Sequence, residues 1–160
     1  YMNVKRLLIT AILMIASVLT VTAQSGLNID EIFNGKYASD PKVTETIISG
    51  KHKFLKAHNL TVLATFKGPA ATYQQMAERL VLADGAQAVG KNVRYKDGRL
   101  YFALFILKPV TEGTVKLNRY LYYLNNATNK GSNVLVVYLE GSLGDQEVSD
   151  LIQSLTRKSK

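Results

Sequence analysis

The sequence predicts an α+β fold: a mainly antiparallel sheet of about six strands, two main helices packed on it, and a short N-terminal helix. Three observations predict it. Six stretches rich in β-branched, aromatic or alternating apolar residues follow one another through short connections. One connection, Lys96-Asp97-Gly98-Arg99, carries an Asp-Gly pair, which supplies the positive φ values a tight hairpin needs. Apolar residues at helical spacing form two long runs only, Tyr73 to Val81 and Val148 to Leu155. Short links suit antiparallel neighbours, and the helices then form a layer on the sheet.

The elements follow in order. Ile29, Ile32 and Phe33 make one face of a short helix, with Asn28 as its cap and Asn34-Gly35 as its stop. Ser39-Asp40-Pro41 is turn chemistry. Val43 to Ser49 reads as a strand, and His52 to His58 as one helical turn. Leu60 to Phe66 is the second strand, ended by Gly68-Pro69. Thr72 and Gln75 have the spacing of a capping box, and Tyr73, Met76, Ala77, Leu80 and Val81 continue the helix to Asp84-Gly85. Asn92 to Tyr95 and Leu100 to Leu107 flank the Asp97-Gly98 turn. Leu100 to Leu107 is apolar on both alternate faces, the pattern of a central, doubly covered strand. Leu117 to Asn125 and Asn133 to Glu140 are the last strands, with a polar loop over Asn126 to Asn133. Ser142 and Asp145 suggest a second cap ahead of the stripe Val148, Leu151, Ile152 and Leu155. Arg157 to Lys160 is a basic tail.

The N-terminus reads as an address. Lys5 and Arg6 precede an apolar run from Leu7 to Val21, and Val21-Thr22-Ala23 places small residues where signal peptidase cuts. Residues 1–23 are expected to be a signal peptide and 24–160 a single domain. The run is shorter than the roughly 20 residues of a spanning helix, yet an uncleaved anchor is the other reading. No Cys follows the run, so a lipoprotein anchor is excluded.

Composition narrows the chemistry. The chain of 160 residues has 20 Lys+Arg, 12 Asp+Glu, two His and no Cys, for a formal net charge of +8. Disulfides, thiolate metal sites and Cys nucleophiles are excluded, and two His cannot build a His-rich metal centre. No cofactor or metal is expected. Export argues against the nucleic acid that a basic chain would otherwise suggest, and leaves an envelope protein, an anionic glycan or a lipid head group as partner; a merely solvated basic surface explains the charge as well. Membrane contact is expected only through the N-terminal segment, if uncleaved.

Catalytic motifs are missing. Glu140-Gly141-Ser142-Leu143-Gly144 lacks nucleophile-elbow spacing, and no phosphate-binding glycine loop occurs. His52 and His58 have no identifiable nucleophile to serve. No catalytic residue is therefore assigned; the alternative is a hydrolase of envelope polymers using Glu45 and Glu140 as paired carboxylates. The informative feature is a set of strand tyrosines beside arginines. Arg94, Arg99, Tyr101, Arg119, Tyr120 and Tyr122 are the candidate binding residues, able to stack rings and hold anions if they share a face. Strand propensity alone also places tyrosines there.

Several segments resemble a family of small exported Bacteroidota proteins of unknown function. They are Ala23-Gln24, Ile32-Phe33-Asn34-Gly35, Thr44-Glu45-Thr46, Gly98-Arg99-Leu100-Tyr101-Phe102, Asn118-Arg119-Tyr120-Leu121 and Val137-Tyr138-Leu139-Glu140-Gly141. The resemblance runs from about Leu27 to Ile152. It implies export to the periplasm or outer envelope of a Gram-negative bacterium, and brings no catalytic residues with it. The Val110 to Lys116 and Asn126 to Asn133 segments depart from it as longer loops.

Overall fold

The computed structural model describes residues 26–128 and 131–157. The expected signal peptide, and the tail beyond Arg157, lie outside the described residues. A 3-10 turn (Asn28–Glu31) opens the chain. Then come β1 (Thr44–Ser49), α1 (Lys53–Ala57), β2 (Leu60–Pro69), α2 (Ala70–Gly85), β3 (Gly90–Lys96), β4 (Arg99–Glu112), β5 (Val115–Thr128), β6 (Gly131–Gly141) and α3 (Asp145–Arg157). The strands form one antiparallel sheet in the order β1-β2-β6-β5-β4-β3. The α+β expectation holds.

Period-two alternation divides the strand residues between two cores. Ala64, Phe66, Val136, Tyr138, Leu121, Tyr123 and Phe105 pack under α2 and the 3-10 turn. Leu63, Val137, Leu139, Tyr120 and Tyr122 pack under α1 and α3. β6 sits inside the sheet and is buried on both faces from Val136 to Gly141. β4, expected to be central, is instead the last strand but one. Its Ala103, Phe105 and Leu107 are buried under α2, while Phe102, Leu104 and Ile106 on the other face are only half-buried.

Helix α2 approaches the sheet closely where it ends. A Cβ at Gly85 would lie 2.4 Å from Phe105 Cζ, so only glycine fits there. Beside it, Asp84 is 5% exposed. Its carboxylate accepts the backbone N–H of Asn28 (2.7 Å) and of Ile29 (2.9 Å), and the Asn28 side-chain amide (2.9 Å). The expected Asn28 cap is therefore reversed. Asn28 donates, and the orphan N–H groups that open the turn are satisfied by a residue 56 positions away.

Both expected capping boxes move, for tertiary reasons. Chain β2 runs directly into α2: Pro69 (φ −58, ψ 130) precedes the first helical residue, and Thr72 lies inside the first turn with no capping role. That phase seats Tyr73 against Gly68 and donates its hydroxyl to Asp40, pinning the Ser39-Asp40-Pro41 turn. At the other helix, the Ser142 N–H donates to the Asn59 carbonyl (2.9 Å), so Ser142 stays with the sheet. Gly144 takes the cap position: its carbonyl accepts Val148 N–H (3.0 Å), and its own N–H donates to Glu147 Oε1 (3.4 Å). Strands also run longer than expected. β4 and β5 extend through the expected loop at Val110 to Lys116, absorbing Lys108-Pro109 in a register shift, because a proline at a bulge forfeits no ladder bond. The expected polar loop over Asn126 to Asn133 is largely the paired ends of β5 and β6, since each polar side chain still has a ladder partner.

Candidate functional site

The β3–β4 hairpin has the turn its sequence requires, with Asp97 at φ 52 and Gly98 at φ 75. Two residues later the register shifts: Tyr95 pairs with Leu100, but Arg94 pairs with Phe102. Tyr101 is thus the extra residue of a β-bulge. A bulge bends its strand and re-aims its side chain, and the Tyr101 ring is 41% exposed.

The bend opens a cleft of about 260 Å³ on the α2 side of the sheet. Lys96, Asp97 and Arg99 from the hairpin form one wall, with Leu100 and Tyr101 at its base. Gln74 of α2 faces them. Asn125 of β5 and Ser132 of β6 make the floor. One turn along α2 from Gln74, Glu78 meets Arg99, with Nε 3.6 Å from Oε2. That contact is an ion pair and exceeds hydrogen-bond length.

Three polar atoms in this region are buried without a hydrogen bond: Glu78 Oε2, whose only partner is the Arg99 ion pair, Asn125 Oδ1 and the Tyr123 hydroxyl. Tyr123 lies two residues before Asn125 on the same face and is fully buried. Burial, and then the Glu78 charge, push its phenol well above the usual tyrosine range, with Arg99 pulling the other way. Buried polar groups in folded proteins are nearly always satisfied. Among the described residues only one further side-chain atom, Glu45 Oε2, is buried and unpartnered.

The six candidate binding residues do not share one face. Arg99 and Tyr101 line this cleft. Arg94 projects to the other face, its guanidinium 5.3 Å from the Phe102 ring centroid. Tyr122 is buried on that face, edge-on to Phe102 at 5.6 Å, and burial raises its phenol to about 12. Tyr120 is buried under α3, where its hydroxyl donates to the Leu143 carbonyl (3.1 Å) and meets Asp145 Oδ1 (3.0 Å). It holds the start of a helix, and a shared stacking face with Tyr122 and Arg94 is not formed. Arg119 lies at the far end of the α2 face, its Nε donating to the Lys108 carbonyl (3.0 Å). Sequence alternation could sort these residues by strand face. It missed the bulge that turns Tyr101, and it missed Gln74, Glu78, Tyr123, Asn125 and Ser132, which only topology brings together.

Arg119 belongs to a second polar group. Glu140 is 4% exposed, and burial pushes its carboxyl up to about 7. Arg119 opposes that shift, Glu112 adds to it, and the Tyr138 hydroxyl bonds the carboxylate. Glu45 is half-buried on β1, and burial raises its carboxyl too. The two glutamates share the α2 face but do not converge. Glu45 pairs with Phe66, which pairs with Val136, four residues from Glu140. Strand geometry separates their Cα atoms by about 13 Å along the sheet and about 10 Å across it. Neither lines the hairpin cleft. Paired carboxylates astride a glycosidic bond sit about 5–9.5 Å apart, so the Glu45–Glu140 pair expected for a hydrolase is not assembled.

Among the described residues, no group of three or more His, Asp or Glu side chains could hold a metal ion. No helix among them is long and apolar enough to cross a membrane.

A family model described as a family of unknown function (DUF6108) matches residues 16–152. No curated protein and no solved structure matches the chain.

Proposed function

The chain belongs to the DUF6108 family of unknown function, and from that premise we propose that it is an exported envelope module that binds a saccharide unit in the hairpin cleft. One observation carries the reading: a small cleft is lined by amides, a hydroxyl, both charge signs and a half-exposed tyrosine, and its Asn125 Oδ1 is buried without a hydrogen bond, as are Tyr123 and Glu78 beside it. A sugar ring offers an apolar face to Tyr101 and hydroxyls, both donors and acceptors, around its edge. Gln74, Asn125 and Ser132 match those hydroxyls in both senses. A hydroxyl that moves the exposed Arg99 side chain aside gains Glu78 Oε2 as an acceptor. The volume suits one ring, below the roughly 300–1,000 Å³ of sites for drug-sized ligands. Lys96 and Arg99 at the mouth suit a sugar that carries a carboxylate.

The test is a titration of the full chain with glucose, N-acetylglucosamine and glucuronate, followed by amide NMR shifts. Shifts are expected at Gln74, Arg99, Tyr101, Asn125 and Ser132, with glucuronate strongest. Asn125→Ala should weaken binding by about tenfold, the worth of a buried polar contact. Absence of shifts with all three sugars, or shifts confined to a second groove, lined by His58 beside α1 and by Glu147 and Asp150 of α3, rejects the site.

Export is tested separately. In fractionated cells the N-terminal peptide should begin at Gln24 and appear in the periplasmic or secreted fraction. A peptide beginning at Met2 in the membrane fraction identifies Leu7 to Val21 as an anchor.

A further inference from the structure

Strand β3 ends the sheet, so one row of its backbone N–H and C=O groups has no strand partner among the described residues. Such a row is a template for another strand. The side chains leave it open: Lys91, Asn92, Arg94, Tyr95 and Lys96 are all exposed. The two most exposed large apolar residues described are also here. Val89 (64%) directly precedes β3 and Tyr95 (59%) stands near its far end, about 20 Å apart along an extended chain. The opposite edge is defended differently. β1 turns the Glu45 carboxylate inward, where it accepts the Gly35 N–H, and an inward charge blunts an edge.

The charge on β3 has one sign. Lys91, Arg94 and Lys96 are basic, and no residue from Gly90 to Lys96 is acidic. Asp97 adjoins the strand in the turn after it. Glu78 of α2 is paired with Arg99. The carboxylates of α3 stand away: Asp145 meets Tyr120 over β5, two strand spacings or about 10 Å from β3, a Debye length in physiological salt. Glu147 and Asp150 border His58 beside α1.

Those charges select what the edge accepts. Another β3 would set its cations against these, and like charges on facing strands are destabilising. The ends of the chain itself match no better. Residues 1–25 hold Lys5 and Arg6, residues 158–160 hold two lysines, and neither segment has an acidic side chain. An acidic extended segment brings the opposite charge, and its backbone completes the ladder. Strand alternation sets its pattern. Val93 and Tyr95 lie on the α2 face, opposite Ala103 and Leu100, while Asn92 and Arg94 lie on the other, opposite Leu104 and Phe102. An added strand matches β3 when apolar residues run beside Val93 and Tyr95 and acidic ones beside Arg94.

We infer that β3 accepts an extended segment of a partner protein as one more strand of the sheet, with acidic and apolar residues alternating along it. Main-chain hydrogen bonds supply the affinity, and the alternating side chains choose the partner. The inference is independent of the saccharide cleft, whose lining does not include Lys91, Val93 or Arg94.

The probes are short peptides titrated by fluorescence anisotropy onto the full chain. A peptide alternating Glu and Val should bind at least about tenfold more tightly than one alternating Lys and Val, and lose that margin as salt rises. The Glu-Val peptide N-methylated at every residue keeps its charge but donates no ladder bond, and should bind about tenfold or more weakly. Hydrogen exchange should show new protection at alternate β3 amides, those that face outward. The variant K91E/R94E, checked by circular dichroism, should reverse the Glu-over-Lys preference. No binding of the Glu-Val peptide, equal binding of the Lys-Val peptide, binding that survives N-methylation, or protection at β1 in place of β3 overturns the inference. A photo-crosslinking amino acid at Asn92 in living cells, with the adduct mapped by mass spectrometry, identifies the source. An adduct within an alternating acidic and apolar segment of another protein supports the inference; adducts only with lipid, with glycan or with another copy of this chain overturn it.

Discussion

Replacing Asp84 by Ala should lower the unfolding free energy by about 2–3 kcal/mol, the range for losing hydrogen bonds to a charged group and leaving one buried donor unsatisfied. The carboxylate holds three donors, two of them backbone N–H groups, and one belongs to Ile29, which is fully buried. Without it the buried Ile29 N–H has no acceptor, while the donors of the exposed Asn28 turn to water. The chain can relieve that only by lifting the 3-10 turn, which strips Ile29, Ile32 and Phe33 from the α2-side core. Either route is costly. Asp84→Asn keeps one acceptor oxygen and should lose about half as much. Urea denaturation gives the free energies, and hydrogen exchange at Ile29 and Ile32 separates local lifting from global unfolding. A loss below about 1 kcal/mol for the Ala variant would mean the contact is a surface-strength bond and that the turn is held by its apolar side chains alone.

Asp84 also shows what a sequence can and cannot reveal. It reads correctly as the end of a helix, for Asp84-Gly85 closes α2. Its work as an acceptor for residues 55 and 56 positions earlier has no local trace. The same division runs through the fold. The Asp97-Gly98 turn was legible because positive φ is a property of two adjacent residues. The Val148, Leu151 and Ile152 stripe was legible because a helix repeats locally. Thr72 and Ser142 misled because both are good caps in isolation. At each site a neighbouring strand decides where the helix begins: Pro69 leads straight in, and the Asn59 carbonyl claims the Ser142 N–H. The doubly apolar β4 looked central because one of its faces is left half-open, and an alternation pattern cannot tell an unfinished layer from a complete one.

The candidate site was legible in part. Arg99 and Tyr101 were visible as a cation and an aromatic ring beside a turn. Their separation from Arg94, Tyr120, Tyr122 and Arg119 follows from the bulge and from strand parity, and the parity was readable in the sequence. Gln74, Glu78, Asn125 and Ser132 come from a helix and two distant strands, and nothing in their local sequence marks them. The resemblance to a family of unknown function stands in that coarse form.

Stability should fall as pH rises from about 4.5 to about 7, by about 3 kcal/mol from Glu140 alone at 1.36 kcal/mol per pKa unit. The sign follows from the two states. Unfolded, the carboxyl releases its proton near its ordinary value of 4.5; folded, burial raises that to about 7. Between those values the native protein binds a proton that the unfolded chain has lost, so raising pH favours unfolding. Below 4.5 both forms are protonated and above 7 both are ionised, so the contribution levels off at each end. Glu45 shifts in the same direction and adds to the slope. Glu140→Gln should therefore flatten the profile and leave the variant about 3 kcal/mol more stable than the parent at pH 8, as measured by urea denaturation across that range. Arg119 is the counterweight. If its pairing with the ionised carboxylate outweighs burial, Glu140→Gln will instead destabilise the protein at pH 8, and the parent will gain stability on the way from pH 5 to 7. The two outcomes differ in sign, so one pair of denaturation curves decides whether this glutamate is held against its charge or for it.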